Sequence, residues 1–179
     1  MPSSAPLDLQ LRPIDDGGGA HAPALDRFVG LWRRLEAMAR AEDGDGPAPP
    51  RRLLDVSAMR DFLDLVMLVD VAEAGGPENG VDFRFRVYGT GLAQLYGADL
   101  TGWRLSAASS AAADLHRRCF EGTLAAGAPL LFRHTLDDRS YAERVEGMCF
   151  PLSLSGRRID QLVALEAPLD LKRPPTPYL

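Results

Sequence analysis

The segment from Leu65 to Tyr88 constrains the fold more than any other. Leu65 to Val71 is a near-continuous apolar run, EAGGPENG at 73–80 is a cluster of turn residues, and Phe83, Phe85 and Val87 then alternate with Arg84, Arg86 and Tyr88. That period of two marks a half-buried antiparallel strand, and Asn79-Gly80 suits a tight turn, so the segment reads as a β-hairpin. Further strand signals follow at Leu130 to Leu136, Tyr141 to Leu152 and Ile159 to Glu166, the last two joined by the turn LSGRR at 154–158. Helical spacing governs the rest. Leu25, Phe28, Val29, Trp32, Leu35 and Met38 form one apolar stripe after Pro23, which suits a first helical turn. A shorter helix is expected over Val56 to Leu63 with Asp55 or Ser57 at its cap, and others near Gly91 to Tyr96 and Ser109 to Leu124. The whole is an α+β pattern in which one antiparallel sheet carries helices.

At 179 residues, 46 % hydrophobic and 25 % charged, the chain has the size and composition of one soluble domain. A net charge of −5 argues against nucleic acid or anionic lipid as partners. Residues 1–22, rich in Pro, Ser and Gly, read as a flexible arm; they lack the apolar core of a secretory signal, which points to the cytoplasm. FLDLVMLVDVA at 62–72 contains Asp64 and Asp70 and falls short of the roughly 20 residues that span a bilayer, so no membrane association is expected. GDGPAPP at 44–50 ends the first helix and serves as a linker, and the proline-rich LKRPPTPYL reads as a loose tail over 168–179.

Motifs that would carry chemistry are incomplete. In GTGLAQ, Gly89 and Gly91 supply two glycines of a dinucleotide fingerprint, but position 94 is Gln and no GK[ST] follows, so the glycines are read as turning a strand into a helix. Cys119 and Cys149 lack CxxC or Cys/His spacing and read as buried thiols. His21, His116 and His134 have no partners at metal-ligand spacing, so no metal site, no required cofactor and no catalytic motif are expected. Tyr88, Tyr96 and Trp103 surround one strand-helix-turn unit; such residues fill a core or line a pocket, and both readings stay open, with His134 as a further pocket candidate.

The string DFRFRVYGTGLAQLYGADLTGWRL, preceded by FLDLVMLVDVAE and followed by a helix and strands ending in IDQLVALEA, resembles a PAS-type family of small, mostly alphaproteobacterial proteins. The resemblance covers about residues 50–167 and implies a five-stranded antiparallel sheet with short helices on one face, here with an N-terminal helical extension over 23–49. It also implies a stand-alone sensory or interaction module in signal transduction, acting through a protein partner and gated by a small molecule in the sheet-helix cavity. No flavin-adduct cysteine motif, kinase box, GGDEF string or helix-turn-helix accompanies it, so output is expected to pass through another protein or self-association.

Two residue groups carry that expectation. Phe28, Trp32 and Leu35 must bury their stripe, either on their own sheet or on a second subunit, and a homodimer through them is the expectation. Tyr88, Tyr96, Trp103 and His134 are expected to border a ligand, while Arg86, opposite Phe85 by alternation, faces solvent. The rival is an α+β enzyme using His134 with a nearby carboxylate, with Tyr141 or Glu143 as acid-base candidates; a structural interaction protein with a filled core is the third reading.

Overall fold

A computed structural model describes residues 9–14, 22–43, 46–73, 80–108, 110–136, 140 and 142–171. It contains strands β1 (Gln10–Pro13), β2 (Val66–Glu73), β3 (Val81–Tyr88), β4 (Leu130–Thr135), β5 (Arg144–Leu152) and β6 (Gln161–Pro168), and helices α1 (Pro23–Asp43), α2 (Thr90–Tyr96) and α3 (Ala111–Ala126). The strands form one six-stranded sheet, ordered β1-β4-β5-β6-β2-β3, with every neighbouring pair antiparallel. The expected hairpin is β2-β3, although Asn79 lies outside the described residues.

Two expectations need correction. Gln10–Pro13, assigned to the flexible arm, forms β1 on the outer edge of β4, with Leu11 opposite Phe132. The sheet therefore has six strands rather than five. The short helices α2 and α3 pack on one face, as expected, and the N-terminal helix α1 packs on the other. The short helix expected over 56–63 is a 3-10 helix at Ser57–Phe62, with Asp55 Oδ1 accepting the Ser57 N–H at 2.9 Å.

The two layers follow from alternation along β4, β5 and β6. Phe132, Val145, Cys149, Leu162 and Ala164 point toward α2 and α3. Leu131, Met148, Phe150, Val163 and Leu165 point toward α1, where they meet Leu25, Phe28, Trp32 and Leu35. Phe28 stands edge-on to Phe62 at 5.3 Å, and Trp32 lies 4.9 Å from Phe150. Phe28, Trp32 and Leu35 are at most 3 % exposed, so the stripe expected to seek a second subunit is satisfied within the chain. At about 1.5–3 kcal/mol per buried large side chain, this packing is a main source of stability for α1.

A buried carboxylate fixes where α1 begins. Glu146 on β5 accepts the Ala22 N–H at 2.6 Å, and its other oxygen accepts from the Arg133 guanidinium at 2.7–2.8 Å. Ala22 precedes the helix, so its otherwise unpaired amide gains an acceptor carrying the charge that a helix N-terminus favours. Further on, α3 begins with Ser110, whose hydroxyl accepts the Ala113 N–H at 3.1 Å, and ends at Gly127 in the left-handed region (φ 59°).

Candidate functional site

The corner between β3 and α2 holds the glycine pair. Gly89 has φ −59°, so a left-handed backbone is not what its glycine supplies. A Cβ on Gly89 would stand 2.4 Å from the Asp64 carbonyl oxygen, and one on Gly91 2.8 Å from the same atom. That carbonyl accepts the Leu92 N–H at 3.1 Å, while the Gly89 N–H donates to Val66 O at 2.8 Å. Two of the amides that an anion loop would offer to phosphate, those of Gly89 and Leu92, are thus taken by the entry to β2. The glycines serve close backbone approach, a reason beyond the simple turn expected from sequence.

Behind this corner, a polar cluster sits inside the apolar layer. Tyr96 from the end of α2, His116 from α3, His134 from β4 and Glu166 from β6 converge there. Glu166 Oε1 lies 2.8 Å from His116 Nε2; its Oε2 accepts from the Tyr96 hydroxyl and lies 3.6 Å from His134 Nε2. The same hydroxyl is 3.0 Å from His134 Nε2, and His134 Nδ1 is 3.3 Å from the Thr135 carbonyl. Aromatic rings enclose the group: Tyr96 lies edge-on to His116 at 5.1 Å, and His116 stacks on Phe120 at 5.8 Å. Glu166 is fully buried, His116 is 1 % and His134 2 % exposed.

Electrostatics follow from that burial. Desolvation alone would raise the Glu166 carboxyl, but the electrostatic pull and hydrogen bonds of His116 and His134 outweigh it and hold the group well below the usual carboxylate range. Burial, with the Glu166 charge beside it, pushes the Tyr96 hydroxyl well above its ordinary value. Burial likewise pushes the Cys149 thiol up to about 12 and raises Cys119, so both thiols are inert, as expected.

The expected pocket residues divide. Tyr88 is buried, its ring 5.3 Å from Phe85, and Tyr96 and His134 are hydrogen-bonded to each other. Trp103 is 55 % exposed and stands apart from them. Its backbone runs beside β3: the Phe85 N–H donates to Trp103 O at 3.0 Å and the Gly102 N–H to Phe85 O at 2.7 Å, which turns the indole outward. Buried Asp82 anchors this segment through the Ser106 N–H (3.1 Å) and hydroxyl (2.7 Å). Burial raises the Asp82 carboxyl, but these bonds and those from Phe83 and Arg104 bring it below its ordinary value.

Arg86 faces solvent, paired with Asp70, as alternation requires. Glu143 is exposed, with its N–H donating to Asp170 at 3.1 Å, and Tyr141 lies outside the described residues. Glu166 and His116 were not legible as a pair, because 50 positions separate them. The only signal was a lone Glu in the apolar run QLVALEA. Among the described residues no group of His, Cys, Asp and Glu is arranged to hold a metal, and no helix is long and apolar enough to cross a membrane. A separate cleft of about 480 Å³ lies beside α1, lined by Trp32, Glu36, Arg40, Pro47, Pro129 and Pro151.

No family model, curated protein or solved structure matches the chain.

Proposed function

We propose that the chain is a non-enzymatic PAS-type sensory module that acts in signal transduction through a protein partner, with the space between the sheet and α2 as its input. One observation supports this reading above others. The strands expected from the resemblance are contiguous in the sheet, as β4-β5-β6-β2-β3, and the segment joining β3 to β4 lays α2 and α3 on one face. Burial of His116, His134 and Glu166 favours sensing over turnover, since acid-base catalysis needs the group within hydrogen-bond reach of substrate.

One observation favours the rival: Glu166 Oε2 lies 3.6 Å from His134 Nε2, a carboxylate near the histidine that an acid-base enzyme would use. Native mass spectrometry of freshly purified protein separates the two. A stoichiometric adduct or partner subunit that stays chemically unchanged supports the sensory module. Conversion of the retained molecule favours the enzyme, and a bare monomer mass from every extract removes the sensory reading.

A further inference from the structure

The buried cluster contains more contacts than hydrogens. Four contacts run in series: His116 Nε2 to Glu166 Oε1, Glu166 Oε2 to the Tyr96 hydroxyl, that hydroxyl to His134 Nε2, and His134 Nδ1 to the Thr135 carbonyl. Each contact requires one hydrogen between its heavy atoms. A carboxylate brings none, a phenol one and a neutral imidazole one, so the cluster with two neutral histidines supplies three hydrogens for these four contacts. Without a fourth, two lone pairs face each other, and a net negative charge sits in the apolar layer. With it the contacts are complete and the net charge is zero, the state that a low-dielectric interior favours.

The direction of the Tyr96–Glu166 bond places that hydrogen: with the phenol donating to Glu166, the Tyr96 oxygen accepts from His134 Nε2. The Thr135 carbonyl accepts only, so His134 Nδ1 must donate as well. His116 differs: its Nε2 faces Glu166, and its buried Nδ1 has no partner among the described residues, so a second hydrogen there would be stranded. We infer that Glu166, Tyr96 and His134 form a buried proton-binding site, in which His134 carries hydrogens on both ring nitrogens and the bound proton ties α2 to β4 and β6.

Every layer around the site is consistent with one exchangeable proton. Tyr88 faces it from β3, Tyr96 from α2, His116 and Cys119 from α3, Cys149 from β5 and Glu166 from β6, with Arg118 acting on Cys119. Both thiols and the Tyr96 phenol are pushed upward and keep their hydrogens at neutral pH, so none of them gives up its hydrogen to the cluster. Without this proton the Tyr96–His134 contact has no hydrogen. The site stands on its own geometry; only its use as a signal rests on the sensory reading, which the adduct mass tests separately.

Nitrogen-15 NMR of the imidazoles tests the site in the full chain, which has 3 histidines. At pH 7.5 a histidine with the ordinary pKa of about 6.5 is roughly one-tenth protonated. The expected result is one ring with both nitrogens protonated in most molecules. That signature is absent from His134→Gln and present in His116→Gln. Three neutral rings in the wild type overturn the proposal, and this outcome needs no variant to fold. A signature that survives His134→Gln overturns it too. Hydrogen exchange reads the tether: at fixed pH, α2 amides exchange about tenfold faster in His134→Gln, as loss of a hydrogen bond to a charged group implies. Unchanged exchange in α2 sinks the tether.

Discussion

Replacing Gly89 by Ala tests whether the glycine corner exists for close backbone packing. The added Cβ meets Asp64 O at 2.4 Å, Asp64 C at 2.6 Å and Leu63 O at 2.8 Å, all of them backbone atoms that no rotamer change can remove. Carbon contacts are comfortable near 3.5–4.0 Å, so the two chain segments must part by about 1 Å. Overpacking of this kind costs about 1–3 kcal/mol. The same movement stretches the Leu92 and Gly89 amide bonds to Asp64 and Val66, adding about 0.5–1.5 kcal/mol each. The sum is about 2–6 kcal/mol, read as a lower urea midpoint at unchanged slope.

Gly122→Ala is the internal control. It lies inside α3, its Cβ would meet only Leu130 Cδ1 at 3.4 Å and Leu11 Cδ1 at 3.6 Å, and Ala gains about 0.5–1 kcal/mol of helix propensity. The two substitutions should therefore move the midpoint in opposite directions. A Gly89→Ala protein within about 0.5 kcal/mol of wild type would refute the packing argument. So would a midpoint raised by phosphate in the wild type and not in the variant, since that would restore the anion-loop reading.

Other expectations follow from the same contacts. Glu166→Gln removes the charge from a buried pair and should cost about 3–5 kcal/mol at pH 7. Because the folded carboxyl is held below its ordinary value, the wild type's advantage is complete above about pH 4.3 and shrinks as pH falls through the folded value. Urea midpoints of both proteins between pH 3 and 7 check this, and a constant difference contradicts it. Gly147→Ala should destabilise strongly, because its Cβ would lie 2.2 Å from Phe132 Cζ and 2.9 Å from Glu166 Cγ; adding Phe132→Leu should recover part of the loss. Trp32→Glu should unfold the protein rather than split a dimer, which sizing and circular dichroism on one sample distinguish. Cys149, with its thiol raised to about 12 and fully buried, should react with a thiol reagent only at the unfolding rate; a fast native reaction contradicts its burial.

Sequence patterns made most of the sheet legible, because alternation in FRFRVY and turn residues at 154–158 are local signals. The first strand was hidden for a local reason too. Leu9 and Leu11 alternate with Gln10 and Arg12, but so short a strand inside a Pro- and Gly-rich stretch looks like arm until β4 offers its edge. The stripe of α1 was legible, whereas its destination was not, since a stripe states what must be buried and not against what. At the candidate site, aromatic clustering found Tyr96 and misplaced Trp103, whose backbone pairing with Phe85 turns the ring away. Glu166 reads as a strand residue in isolation; only the fold brings it to His116.

Arg133 and His134 are consecutive in β4, and successive side chains in a strand point to opposite faces. One carries the guanidinium that neutralises Glu146 beneath α1, the other the imidazole beside Glu166. Deleting or inserting one residue in β4 would exchange their faces, sending a guanidinium into the aromatic layer and an imidazole under the first helix. Glu146 would lose Arg133 and Glu166 would lose His134. The strand therefore acts as a two-sided key whose reading frame is set by its charges, so length changes there should be far less tolerated than ordinary apolar substitutions in the same strand.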